Sequence, residues 1–271
     1  MLRDLTTVLL WATLILVAVS FITLAIFFYQ SRIRSNNYLA KDESELRYFI
    51  QQQVDSRGQV TGYECLLRQK DDKGHWQLPA HLETLPLQRV IFLLDGVFGH
   101  LPKVPYTLAI NLEYAQIISP EFDYFVRWAQ SRITPMQLVI ELSVSPDARY
   151  RHHRLFLRQV AQARAYGARM AIDNVGNRQA DLTAIEWMLP QTDMIKASMR
   201  QFRKTDGEWL DLNLQFWRRL AAQQQIELIL MGVEDDQDAQ LAKLLHIDHL
   251  QGYLYGRPVD ISQPMEGTRE E

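Results

Sequence analysis

One cysteine in 271 residues, Cys65, excludes an intrachain disulfide and any metal site built on thiolates. An unpaired thiol fits a reducing compartment. Charge of neither sign is in excess: 29 Lys and Arg stand against 32 Asp and Glu, for a formal net charge of −3. So balanced a chain gives no electrostatic sign of a nucleic-acid partner, and none is expected. No internal repeat or low-complexity tract interrupts the sequence. From Leu5 to Ser31 no charged residue occurs at all.

Leu5–Tyr29 is dominated by Leu, Val, Ile, Ala and Phe. At about 1.5 Å per residue, a helix of this length spans a hydrocarbon core of roughly 30 Å with some tilt. A secretory signal would have a shorter apolar region ending in small residues. This one ends Ile26-Phe27-Phe28-Tyr29, bulky and aromatic as at a membrane interface. Residues 1–31 are therefore expected to form an uncleaved transmembrane anchor. Arg3 precedes it, whereas Arg32, Arg34 and Lys41 follow it. That asymmetry predicts a single pass through the bacterial inner membrane with the soluble domain in the cytoplasm. Polar residues 32–45 read as a juxtamembrane linker, and the polar tail 263–271 as disordered.

Between linker and tail, short apolar runs alternate with segments of helical period. The strand-like runs are Tyr106–Asn111, Leu138–Leu142, Ala168–Ile172, Met194–Ile195, Ile226–Met231 and His249–Leu250. Helical periods cover Leu87–Leu101, Asp123–Ser131, Leu155–Tyr166, Leu212–Gln224 and Asp236–Leu245. Such alternation predicts an α/β fold with a mainly parallel sheet, and its length suits a barrel. Polar residues sit at the C-terminal ends of these runs: Asn111, Glu141, Asp173, Lys196 and Gln251. In a parallel barrel those ends share one rim, where oxygen ligands could gather around Mg²⁺ or Mn²⁺. The same residues could equally cap helices or satisfy loops, since Asn and Asp are common caps.

Two segments carry a family resemblance. Gly62-Tyr63-Glu64-Cys65-Leu66-Leu67-Arg68 and Gln251-Gly252-Tyr253-Leu254-Tyr255-Gly256-Arg257-Pro258 resemble the opening and closing signatures of EAL domains. Between them, in the expected order, lie Asn111-Leu112, Ile140-Glu141-Leu142-Ser143, Ala171-Ile172-Asp173-Asn174, Ile195-Lys196 and Gly232-Val233-Glu234. The likeness covers residues 46–262. It implies a modified TIM-like (β/α)8 barrel, preceded here by the single transmembrane helix, that linearises cyclic di-GMP with two divalent cations. By the same resemblance Glu64, Asn111, Glu141 and Asp173 match metal ligands, and Lys196 matches the lysine that orients the attacking water. Arg68 matches a phosphate-binding arginine, Gln251 the glutamine of the closing signature, and Gln51, Leu66 and Pro258 fall along the nucleotide groove.

The departures fall on the metal site. A second aspartate expected after Asp173 is Asn174, and a glutamate of the closing Glu-Gly-Val-Glu is Met231. Ser198 replaces the aspartate of Lys-Ile-Asp, and Val144 the glutamate that steadies the active-site loop. That loop, Asp-Phe-Gly-Thr-Gly in the family, reads Asn174-Val175-Gly176-Asn177-Arg178. Hard cations depend on anionic oxygens, and a thioether does not serve them. The expectation is a site needing no cofactor, with room for one weakly bound Mg²⁺ or Mn²⁺ and not for a competent pair. The chain then reads as a non-catalytic cyclic di-GMP receptor or protein-interaction scaffold, with an unidentified protein partner and a homodimer in view. Two alternatives stand beside it: a weakly active phosphodiesterase, and a structural membrane component that binds no ligand.

Six arginines between Arg149 and Arg169 surround the pair His152-His153. They read as the solvated face of a helix whose Leu155, Phe156, Val160 and Ala163 turn inward, in preference to a lipid or RNA patch. His246 and His249 lack the further ligands a zinc site needs.

Overall fold

The computed structural model describes residues 2–39, 45–79, 85–145, 147–203 and 211–262; the expected tail 263–271 lies outside them. The chain divides into two units, Met1–Ser44 and Glu45–Glu271.

The described residues of the first unit form one helix, α1 (Leu2–Leu39). It contains no Gly or Pro to break it, so it runs through residues 32–39, where a linker was expected. Its Leu9–Ile26 stretch has a mean hydropathy of 2.6, and none of it is buried. Trp11, Leu16 and Phe21 all stand exposed. Among the described residues this is the one helix long and apolar enough to cross a membrane.

The second unit opens with a hairpin, β1 (Leu46–Asp55) and β2 (Val60–Lys70), followed by the short β3 (Trp76–Gln77). Strand and helix then alternate through α2 (Leu87–Phe98), β4 (Thr107–Asn111), α3 (Tyr114–Ile117), α4 (Phe122–Ile133), β5 (Gln137–Ser143) and α5 (His153–Ala165). They continue with β6 (Arg169–Val175), α6 (Gln179–Ile185), β7 (Met194–Ser198), α7 (Met199–Phe202), α8 (Leu214–Gln224), β8 (Glu227–Met231), α9 (Asp236–Leu244) and β9 (His249–Gln251). The sheet order β1-β9-β8-β7-β6-β5-β4-β2, with β1 also paired to β2, closes an eight-stranded barrel. β1 is antiparallel to both its neighbours, and the other barrel strands run parallel.

The helices cover the barrel by apolar faces at three- and four-residue spacing. α4 buries Phe122, Phe125, Val126, Ala129 and Ile133, and α5 buries Phe156, Val160 and Ala163. Each Phe, Val or Ile side chain so removed from water is worth about 1.5–3 kcal/mol. Leu155 is only half-buried, while Arg149, Arg151, Arg154 and Arg158 are exposed. α8 begins at Leu214, two residues later than its pattern suggested, because the Asn213 side chain accepts from the Phe216 N–H and caps the helix there.

β1 was not foreseen. Its Gln51-Gln52-Gln53 run interrupts the apolar pattern, yet the strand is buried on both faces, with Gln51 and Gln53 buried beside Ile50 and Val54.

Candidate ligand-binding site

Strand period places the site. Ala109, Val139, Ala171, Met194 and Ile229 form a separate apolar cluster from five consecutive parallel strands, β4 to β8. Alternate residues of a strand point the same way. Two positions further along these strands stand Asn111, Glu141, Asp173, Lys196 and Met231. The apolar layer therefore forms the base on which a polar layer rests, and Glu64 and Gln251 join that layer from β2 and β9. Gly62, two residues before Glu64, leaves no room for a side chain: a Cβ there would meet the Thr107 Oγ1 at 2.1 Å.

The polar layer is wired to itself. Lys196 is fully buried, and its Nζ donates to Glu64 Oε2 and to both oxygens of Glu141, each at 2.8 Å. Asn111 Nδ2 donates to Glu64 Oε1 at 2.6 Å, and Gln251 Nε2 to Glu64 Oε2 at 2.7 Å and Gln51 Oε1 at 3.1 Å. Gln53 Nε2 in turn reaches Gln251 Oε1 at 3.2 Å. Ser143 Oγ donates to Asp173 Oδ2 at 2.8 Å, while Asp173 Oδ1 is buried with no hydrogen-bond partner among the described residues.

Burial pushes the Glu64 pKa up, but Lys196 and the donors from Gln251 and Asn111 outweigh it and hold this carboxyl below its usual range. Burial and then the neighbouring Glu64 raise Glu141 well above that range against the pull of Lys196. Asp173 is raised chiefly by burial, with Glu64 adding to it. Burial alone would lower Lys196, yet Glu141, Glu64 and Asp173 together keep it above its ordinary value, so it stays cationic.

The β6 and β8 ends differ from this network. Asn174 sits at φ 61°, and its Oδ1 accepts from Gln201 Nε2 at 2.9 Å. Gly176 is packed so closely against Gln201 and Asp181 that a Cβ would lie 1.8 Å from Gln201 Oε1. The buried Trp217 Nε1 donates to the Gly176 carbonyl at 2.8 Å. Glu234, the carboxylate left in the closing strand motif, pairs with Arg203 Nη1 at 3.0 Å. Arg203 Nη2 also pairs with Asp238 at 2.5 Å, which fixes the turn after β8. Met231 and Ser198 are register partners on β8 and β7.

These residues do not fit a pair of divalent cations. Glu64 and Glu141 are bridged by an ammonium, Asn174 is held by Gln201, and Met231 offers sulfur. No group of three or more His, Cys, Asp and Glu among the described residues could hold a metal ion. Asp173 Oδ1, buried and without a hydrogen-bond partner among the described residues, is a single oxygen and not a coordination shell.

Above the network opens a cleft of about 350 Å³ whose lining includes Gln51, Glu64, Leu66, Arg200, Met231 and Tyr253. Arg68 lies half-buried on β2, where its Nη1 donates to the Leu67 carbonyl at 2.9 Å. Pro258 is not among the residues that line this cleft; it precedes Val259, which pairs with Ile50 on β1. The sequence reading brought together Gln51, Glu64, Glu141, Lys196 and Gln251, and passed over Gln53, Ser143, Arg200, Gln201 and Arg203. Only Gln53 had a usable signal, the alternation with Gln51.

Solved structures share this architecture. The EAL enzyme Bd1971 in its cAMP- and cyclic-di-GMP-bound form is 17% identical over 88% of this chain and 68% of that one, with a TM-score of 0.64. The PaMucR phosphodiesterase in complex with c-di-GMP is 20% identical over 79% and 96%, with a TM-score of 0.60. The Bacillus subtilis YkuI protein, in complex with c-di-GMP and calcium, is 17% identical over 82% and 57%, with a TM-score of 0.63. No curated protein matches the chain. The EAL domain profile matches residues 35–258, and the chain belongs to the EAL domain family.

Proposed function

We propose that this EAL domain binds cyclic di-GMP without hydrolysing it, and passes the bound state to a protein partner at the inner membrane. One observation carries the reading: where metal-binding carboxylates are expected, Asn174 is tied to Gln201 and Met231 presents a thioether. Hydrolysis of a phosphodiester needs a metal-activated water and charge stabilisation of the leaving oxygen. Loss of both lowers the rate by orders of magnitude. A single weakly held Mg²⁺ or Mn²⁺ is the most this site takes up, and no chemistry is assigned to it. The solved relatives named above that hold c-di-GMP support the choice of ligand. Incubation of the purified protein with cyclic di-GMP and Mg²⁺ or Mn²⁺ is expected to yield saturable binding and no linear dinucleotide. Turnover would show a working phosphodiesterase instead, and absence of binding would leave a ligand-independent scaffold.

The apolar stretch Leu9–Ile26 supports a single-pass anchor, and the cations Arg32, Arg34 and Lys41 after it, against Arg3 before it, support a barrel in the cytoplasm. Protease added to intact spheroplasts should then leave the barrel uncut; digestion from outside rules out this topology.

A further inference from the structure

We infer that Arg200 is the phosphate-binding cation of the cleft and supplies there the positive charge that a metal site would otherwise contribute. This rests on the cyclic di-GMP reading of the cleft and adds the group that makes binding independent of metal.

The cleft floor offers a phosphate no free cation: Glu64 lines it, and Lys196 lies fully buried beneath. Glu64, Glu141 and Asp173 share the single ammonium of Lys196, which is buried and already engaged by Glu64 and Glu141. A phosphate approaching such a floor needs a compensating cation above it. The wall formed by the ends of β7 and β8 meets that need. Ser198 and Met231, facing each other in register, are uncharged. Arg203, the cation nearest Glu234 on the same wall, is already committed to Glu234 and Asp238. Arg200 lines the cleft, is exposed, and has no ion-pair or hydrogen-bond partner among the described residues. Its guanidinium is the unpaired charge of this wall, and a planar fork of N–H donors matches a phosphate's oxygens. Tyr253, half exposed at the cleft with the Arg257 guanidinium 4.5 Å from its ring, offers an aromatic face to a base on the opposite side.

The test is titration of the full chain in detergent with cyclic di-GMP, in EDTA and again in Mg²⁺. Wild type is expected to bind equally within about twofold in the two conditions. Arg200→Gln should weaken binding about ten- to a hundredfold in both, the usual scale for a charged hydrogen bond. Arg200→Lys should recover part of the loss, because charge returns without the bidentate fork. Arg158→Gln, an exposed arginine on α5, should bind as wild type. A thermal melt of Arg200→Gln coincident with wild type excludes misfolding as the cause. Metal-independent binding that ignores Arg200→Gln overturns this proposal alone. Binding abolished by EDTA overturns it by restoring the metal to the phosphate's side. No binding by wild type in either condition overturns the receptor reading itself, and this inference with it.

Discussion

The floor of the barrel and the β6–β8 wall keep the family pattern to very different degrees. In the floor, Glu64, Asn111, Glu141, Lys196 and Gln251 are all present and satisfy one another. In the wall, Asn174, Ser198 and Met231 replace the expected carboxylates, and Asn174 and Glu234 have found protein partners in Gln201 and Arg203. The two regions are under different constraints. A buried lysine held by two carboxylates cannot lose a member without leaving an uncompensated charge in the interior. Wall residues touch solvent and can change without such a cost. Retained motif residues in the floor have a structural reason to persist, and reveal nothing by themselves about catalysis.

The strongest test of that contrast removes the floor's cation. Lys196→Met leaves Glu64 and Glu141 buried without their partner and should cost about 3–5 kcal/mol in urea unfolding of residues 45–271. A variant as stable as wild type would mean that the floor is not held by its ions. A smaller effect is expected from repairing the wall. Asn174→Asp with Met231→Glu adds two carboxylates and should tighten Mn²⁺ binding by calorimetry about tenfold, or about 1.4 kcal/mol. The gain is modest because Gln201 competes for position 174, and turnover should stay far below that of an intact family member. No change in Mn²⁺ affinity would show that the wall is not what keeps metals out.

The smallest effect concerns pH. Glu141 is raised in the folded state, so between its unfolded pKa, about 4.3, and its folded value the native protein binds more protons than the unfolded chain. Stability from this group is therefore lost as pH rises through that window. Glu64 is lowered and acts in the opposite sense, losing stability as pH falls. Glu141→Gln removes the first contribution alone. Its unfolding free energy should decline less steeply than wild type's from pH 5 upward, by up to about 1.4 kcal/mol per pH unit. Parallel curves would place the retained proton elsewhere.

The barrel and its polar rim were legible because strand period and strand ends are local properties of the sequence. Residues 109, 139, 171, 194 and 229 are apolar, and the polar positions two further on follow from the pleat. β1 was not legible, because its buried glutamines owe their burial to Gln251, far away in the chain. Nor was the pairing of Asn174 with Gln201, which depends on how two loops meet above the barrel. Arg200 gave no signal either, since an arginine four residues after a motif lysine is an ordinary surface residue until a cleft is seen beside it. The apolar helix was read from composition, and only its continuation to Leu39 was missed.

The antiparallel strand β1 has a consequence for the order of assembly. β1 and β2 form a hairpin early in the chain, but the ladder between β1 and β9 has just the register pairs Val54–Leu250 and Asp55–His249 among the described residues, helped by the Ile50–Val259 bridge and by the Gln51 and Gln53 side chains on Gln251. Those partners come from opposite ends of the barrel sequence, so their loop-closure entropy is the largest of any strand pair. On that ground the seam is expected to close last, after nearly all of the domain has left the ribosome. A nascent chain halted before Leu250 would carry an open sheet with an unpaired edge, the state most prone to wrong pairing and aggregation.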